Sequence, residues 1–405
     1  MRTVRGKVGC GRVVRRPAAA WAAVLVLLAG VAPSLAARPA LAAPGCFGGK
    51  PAPAPRATGD QWAQRWLDPR RLHRLGTART VRVAVLDSGV DSSHRQLAKA
   101  VDRGWDLVAD EAGGTIDCVG HGTAVASLIA ARPDGDASLV GVAPEARIIP
   151  IRVSENATGS TRYRDVTPGR LAAGIRRAIA LKADVIHVSF AVGSGSAGLR
   201  SAVADAVRRQ IVVVAAVGDD TVGETYPAAY PGVLGVGAVD QSGQRWTDSG
   251  SGPHMDLMAP GVNLVAAARV DGHVAIGGTA AAAALVSGAA ALVRGNHPKW
   301  TAAQVAEHLL ATADGTPGGA YSVDYGYGSV NPYRALAEPI GTPVPSPSPK
   351  PMPAAAVRPS PEPGMPATTR RALLWAGGVG LATALVAVGY AAAVALLRHR
   401  RRVSG

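Results

Sequence analysis

The sequence predicts an α/β fold, with a mostly parallel central sheet covered by helices on both faces. Three observations carry this. Short apolar runs of strand length alternate along the chain with longer stretches of helical pattern. The chain has 405 residues, of which 48% are hydrophobic and 18% charged, so it can bury a large core and is not disordered overall. No internal repeat breaks the alternation.

The elements follow in order. Val81–Leu86 is a strand-length run that ends at Asp87-Ser88-Gly89. A helical pattern covers Gly122–Ala131, and the run RIIPIRV within Ala143–Val153 is the next strand. Helix Gly169–Leu181, strand Val185–Val188, helix Leu199–Arg208 and strand Ile211–Ala216 continue the series, and an Ala-rich helix spans Ala280–Arg294. Strands separated by helices pair in parallel. In such sheets functional groups collect at the carboxyl ends of strands. Asp87, just past a strand, and His121, at a helix start, occupy such places. The glycine-rich stretch 193–198 reads as surface loop, and residues 43–80 read as an N-terminal extension with helix around Trp62 and Trp66. That extension is too short to fold as an independent chaperone-like segment.

The net charge of +15 suggests a nucleic-acid binder, but its distribution excludes a broad phosphate-binding face. Seven Lys/Arg lie in residues 1–42 and six in 370–405, both without any acid, which leaves the interior nearly neutral. The basic ends read as membrane-targeting elements instead. Residues 1–42 have the layout of a secretory signal peptide: a basic start, an apolar run from Ala18 to Val31, then Ser34-Leu35-Ala36 and Ala40-Leu41-Ala42 as small-residue cleavage patterns. The run is shorter than the roughly 20 residues a spanning helix needs. Cleavage after Ala42 would remove Cys10.

Ala372–Leu397 has no charged residue over 26 positions. As a helix it would rise about 39 Å, enough to cross a bilayer with some tilt. The arginines at 398, 400, 401 and 402 place the tail 398–405 in the cytoplasm by the positive-inside rule. The Pro-rich segment within 336–371 reads as an extended, semi-rigid stalk. These readings predict a single-pass protein of the cell membrane whose domain, residues 81–335, faces outside. Cys46 and Cys118 remain after cleavage. An oxidising compartment favours a disulfide between them, with two free buried thiols as the alternative.

Six segments then carry a resemblance. VAVLDSGVD (83–91) resembles the catalytic-aspartate motif of subtilisin-like serine proteases, and GHGTAVASLIA (120–130) resembles their catalytic-histidine motif. GVAPEARIIPIRV (141–153), YPAAYPGVLGVGAVDQSG (226–243) and MAPGVNL (258–264) are similar to later landmarks, and GGTAAAAALVSGAAALV (277–293) is similar to the segment that normally reads Gly-Thr-Ser and opens a helix. The resemblance covers about residues 60–335 and implies a three-layer subtilisin-like domain. The signal peptide, short extension, cysteine just before the histidine motif, Pro-rich stalk and single span resemble the mycosins, the membrane-anchored subtilisin-like proteases of actinobacterial type VII secretion. That resemblance implies type VII membrane components as partners, and peptide segments in the groove.

The family chemistry is acyl transfer by a serine that a histidine deprotonates, with a buried carboxylate orienting the histidine. Asp87 and His121 match the last two roles. The serine position holds Ala280, which has no hydroxyl. Ser287 lies seven residues further on, about 10 Å along the helix. Thr279 is expected to precede the helix and point elsewhere. The oxyanion position, normally Asn, holds Asp219, whose ionised carboxylate accepts and cannot donate. The substrate strand, Ser189-Phe190-Ala191, departs from the usual small pair ending in glycine, and the helix's family proline position holds Ala284.

The resemblance therefore implies a degenerate protease acting as a structural or regulatory subunit, with an active endopeptidase as the alternative. No zinc spacing, calcium loop or phosphate-cradling loop is present in the sequence, and no cofactor is expected.

Overall fold

The computed structural model describes residues 46, 51–59, 61–155, 166–221, 223–316, 319 and 321–339. The segments expected to be signal peptide (1–42), span (372–397) and basic tail (398–405), and nearly all of the expected stalk, lie outside the described residues. Among the described residues no helix is long and apolar enough to cross a membrane.

The extension forms two short helices, α1 (Trp62–Leu67) and α2 (Pro69–Leu75). Asp68 adopts a left-handed conformation that ends α1, and its carboxylate caps α2, where Pro69 supplies a ready φ at the first helical position. Strand β1 (Arg82–Asp87) follows, then the short β2 (Gly104–Asp106) and β3 (Glu111–Gly113). Helix α3 (His121–Ala130) leads to β4 (Arg147–Arg152), α4 (Pro168–Ala180), β5 (Val185–Val188), α5 (Ala197–Arg208) and β6 (Val212–Ala216). Strands β7 (Val233–Val239) and β8 (Leu257–Pro260), the hairpin β9 (Leu264–Ala267) and β10 (His273–Ile276), and helices α6 (Thr279–Asn296), α7 (Ala302–Ala311) and α8 (Pro332–Ala337) complete the domain.

The eight-stranded sheet has the order β3-β2-β4-β1-β5-β6-β7-β8, with every neighbouring pair parallel except β2–β3. The expected mostly parallel sheet is present: β1, β4, β5 and β6 are the strands the sequence indicates, while β2, β3, β7 and β8 are additions, the first two being only three residues long. Two apolar clusters, one per face, make three layers. On one face α6 packs on β5 to β8 beside α3. On the other, α4 and α5 pack together over β1, β4 and β6. The alanines at 280–284 are all buried, and their small side chains bring α6 close to the sheet. The sequence placed each predicted helix within two residues of its observed bounds. One local reading changes: Gly198 lies inside the first turn of α5, which Ser196 caps from its side chain, so only the start of the 193–198 stretch is loop.

Residues 51–59 run across the body as a strap. Ala54 N–H donates to Asp271 O at 3.0 Å, His273 N–H to Pro55 O at 2.9 Å and Ser138 N–H to Ala57 O at 3.1 Å. Arg56 pairs with Asp134 and Asp136. Cys46 is bonded to Cys118, three residues before His121.

Candidate active site

Strand β1 sits where the strand order reverses, flanked by β4 and β5. Crevices form at the carboxyl ends of strands at such points. There β1 ends in Asp87, the chain leaving β5 presents Ser189, and the chain leaving β6 presents Gly218-Asp219. The N-termini of α3 and α6 bring His121 and Thr279-Ala280 to the same end of the sheet.

Asp87 is fully buried. His121 Nδ1 lies 2.9 Å from both its carboxylate oxygens. Ser88 N–H donates to Asp87 Oδ1 at 2.6 Å, and the Ser189 hydroxyl donates to Oδ2. Burial alone would raise the Asp87 pKa, but the neighbouring His121 and these hydrogen bonds outweigh it and hold the carboxyl below the usual carboxylate range. Burial likewise works against a charge on His121. The carboxylate of Asp87 outweighs it, with Asp117 and Asp219 adding to the effect, and the imidazole titrates above its ordinary value.

Local backbone geometry explains the motif letters around this pair. A Cβ on Gly122 would lie 2.0 Å from the carbonyl of Gly89, so only glycine lets α3 start against the turn after β1. Asp117, which the sequence reading passed over, orders that start. Its Oδ1 accepts from Ser88 Oγ, Val119 N and Gly120 N, and its Oδ2 from Thr123 N and Oγ1, at 2.6 to 3.0 Å. An acid four residues before the histidine, at a predicted helix start, was the available signal.

Ala280 is the second residue of α6 and 8% exposed. It presents a methyl group where the resemblance implies a serine. Among the described residues no hydroxyl or thiol forms a hydrogen bond with His121 Nε2. Thr279 differs from expectation: it is the first residue of α6, and its hydroxyl is committed to the site. Thr279 N–H and Oγ1–H both donate to Asp219 Oδ1 at 2.8 Å, and Gly218 N–H donates to Thr279 Oγ1 at 3.1 Å. The first turn of a helix has unpaired N–H groups and a partial positive charge, so a carboxylate is well placed there. Gly278, at φ 108°, supplies the close approach, since a Cβ there would stand 2.6 Å from Asp219 Oδ2. Burial raises the Asp219 pKa, against the hydrogen bonds from Thr279.

The three substrate-strand residues separate. Ser189 joins Asp87, and the methyl of Ala191 packs against Gly218. Phe190 is 3% exposed within the apolar cluster beneath α4 and α5, so it does not line the groove. Alternation along an extended segment sends it to the opposite face from its neighbours. Val192 is tied to Tyr226 by two backbone hydrogen bonds of 2.9 Å. Ser287 is buried and distant in sequence from the helix start, in contact with His187 rather than His121. Ala284, at the family proline position, is buried. Among the described residues no group of three His, Cys, Asp or Glu side chains is placed to hold a metal ion.

A buried carboxylate oriented on a half-buried imidazole at the mouth of a parallel sheet is the arrangement of subtilisin-like proteins, and the family comparison agrees. The Subtilase family model (Peptidase_S8) matches residues 78–328, and the chain belongs to that family. Subtilisin E of Bacillus subtilis (strain 168) is 40% identical over 268 residues, which are 64% of this chain and 67% of that protein. Subtilisin of Bacillus pumilus is 39% identical over 268 residues, covering 64% of this chain and 92% of that protein.

The particular likeness is to mycosins of type VII secretion. The crystal structure of MycP1 with its N-terminal propeptide removed is 32% identical with a TM-score of 0.61, covering 70% of this chain and 98% of that one. MycP3 protease from the type VII (ESX-3) secretion system is 30% identical, also with a TM-score of 0.61, covering 74% and 98%.

Proposed function

We propose that this subtilase is a catalytically silent, membrane-anchored member of a type VII secretion machine, acting by binding other membrane components rather than by cleaving peptides. The observation that carries the reading is the contrast within one crevice. Asp87 and His121 are in working geometry, while the attacking position holds a methyl group and the oxyanion position holds a carboxylate locked in place by Thr279. Without a hydroxyl at 280 no acyl-enzyme forms at that position. Loss of the serine alone costs about a million-fold in turnover in a working subtilisin. Loss of one oxyanion donor costs about 10²–10³-fold, and an ionised carboxylate would further repel the developing charge. The secretion context rests on the likeness to MycP1 and MycP3. The anchor rests on the uncharged stretch 372–397 and its arginine flank.

The preserved Asp87–His121 pair supports a second reading, an endopeptidase that trims secreted substrates. The double change Ala280→Ser with Asp219→Asn distinguishes them. Our reading predicts no peptidase activity in the natural chain and measurable activity in the double variant. Activity of the natural chain that His121→Ala abolishes would establish the second reading.

A further inference from the structure

Behind Asp87 runs a buried polar chain that the site chemistry above does not use. His187 is fully buried on β5, an otherwise apolar strand. In the β1–β5 register Val85 stands opposite His187, which puts His187 and Ser189 on the same face as Asp87, under α6. His187 Nε2 lies 2.9 Å from Ser189 Oγ, and Nδ1 lies 3.1 Å from Ser287 Oγ on α6. Ser189 in turn donates to Asp87, and Ser287 Oγ lies 2.8 Å from the carbonyl of Ala283.

We propose that His187 is a positioning residue that sets the proton order of this chain, so that Ser287, His187 and Ser189 each donate toward Asp87 and hold its carboxylate ionised. The contacts Ser287–Ala283, Ser287–His187, His187–Ser189 and Ser189–Asp87 need four protons. The two hydroxyls and a neutral imidazole supply three. The fourth would come from an imidazolium, which burial disfavours by pushing the ring down to about 4, with the charge of His121 and against both the charge of Asp87 and a contact of the ring with the Ala283 carbonyl. One contact must therefore go unmade.

The Ala283 carbonyl already accepts within α6, so its contact with a side chain is a surplus one. Asp87 is a buried charge, and hydrogen bonds to ionised acceptors are roughly twice as strong as neutral ones. Asp87 therefore keeps the Ser189 proton. Ser189 can then only accept from His187, which fixes the proton on Nε2. Nδ1 becomes the acceptor, and Ser287 turns its hydroxyl to it. The opposite order, with the proton on Nδ1 facing Ala283 and Ser287, would let Nε2 draw the Ser189 proton away from Asp87. This inference concerns the Asp87–His121 pair and does not depend on whether Ala280 abolishes turnover.

The test is nitrogen-15 NMR of the full chain labelled at histidine, with His187 assigned by its loss in His187→Leu. The expected spectrum shows a neutral His187 with the proton on Nε2 at pH 6. Ser189→Ala, which removes a single hydroxyl, is expected to shift the proton to Nδ1. In His187→Leu the carbon-13 titration midpoint of the Asp87 carboxyl is expected to move up, a change that a merely space-filling role would not produce. A wild-type ring protonated on Nδ1, or a tautomer unchanged in Ser189→Ala, overturns the proposal.

Discussion

Asp219 caps the first turn of α6 through Thr279, accepting both its N–H and its hydroxyl on one carboxylate oxygen at 2.8 Å. The other oxygen is left against Gly278, in the crevice that His121 faces. In the proposed reading, where the resemblance implies Asn at 219, the carboxylate would keep the structural half of that side chain's work, which needs only an acceptor, and reverse the chemical half, which needs a donor.

Asp219→Asn is expected to preserve the cap and to lower the titration midpoint of His121, because the charge of Asp219 contributes to raising it. The His121 pKa lies above its unfolded value. Its contribution to stability is therefore fully present below the unfolded pKa and is lost as pH rises through the folded one. The variant should show a weaker decline in stability through neutral and alkaline pH. Histidine NMR titration together with urea unfolding from pH 6 to 9 checks both. Ala280→Ser alone should remain about 10²–10³-fold less active than the double variant with Asp219→Asn.

Asp117→Ala should destabilise the domain by about 3–5 kcal/mol, since it strands several buried donors and removes the start of α3. The His121 resonance should broaden or shift as its backbone loosens. Asp117→Asn, which keeps acceptor capacity on one oxygen, should cost less. Denaturant midpoints of the two variants measure the difference.

Cys46 and Cys118 close a loop of 72 residues. On the chain-entropy account such a closure stabilises the folded state by about 4 kcal/mol. Cys46→Ser/Cys118→Ser should therefore unfold at lower urea concentration than the oxidised protein, and reductant should shift the natural protein but not the variant.

Asp256 accepts from Gly235 N–H at 2.8 Å, yet burial pushes its carboxyl up to about 6. A raised acid pKa means the folded state loses stability as pH rises from the unfolded value through about 6. Asp256→Asn should keep the hydrogen bond and stabilise the domain by about 1–3 kcal/mol above pH 7, with no gain below pH 4. Thermal unfolding at the two pH values tests the sign.

The sequence made the sheet legible because buried parallel strands are continuous apolar runs, as in Val83–Leu86 and Val212–Ala216, and because helix lengths separate them. The pair Asp87 and His121 was legible from its flanking motifs, and so were the two departures at Ala280 and Asp219. Besides the added strands, Gly198 and Thr279, three features were not. Phe190 was assigned to the groove by its motif position, whereas alternation turns it into the opposite core. Asp117 was overlooked because a capping acid carries no motif of its own. His187 reads as one polar letter in an apolar strand, and its partners, Ser189 and Ser287, are brought together only by the β1–β5 register and the packing of α6.

The proposed silence rests on the methyl group of Ala280 beside the Asp87–His121 pair. Intact-mass analysis of the purified chain after exposure to a fluorophosphonate reads out an activated hydroxyl itself. The expected result is an unchanged mass for the natural protein and a single adduct at residue 280 in Ala280→Ser/Asp219→Asn. A stoichiometric adduct on the natural chain that disappears in His121→Ala would contradict it.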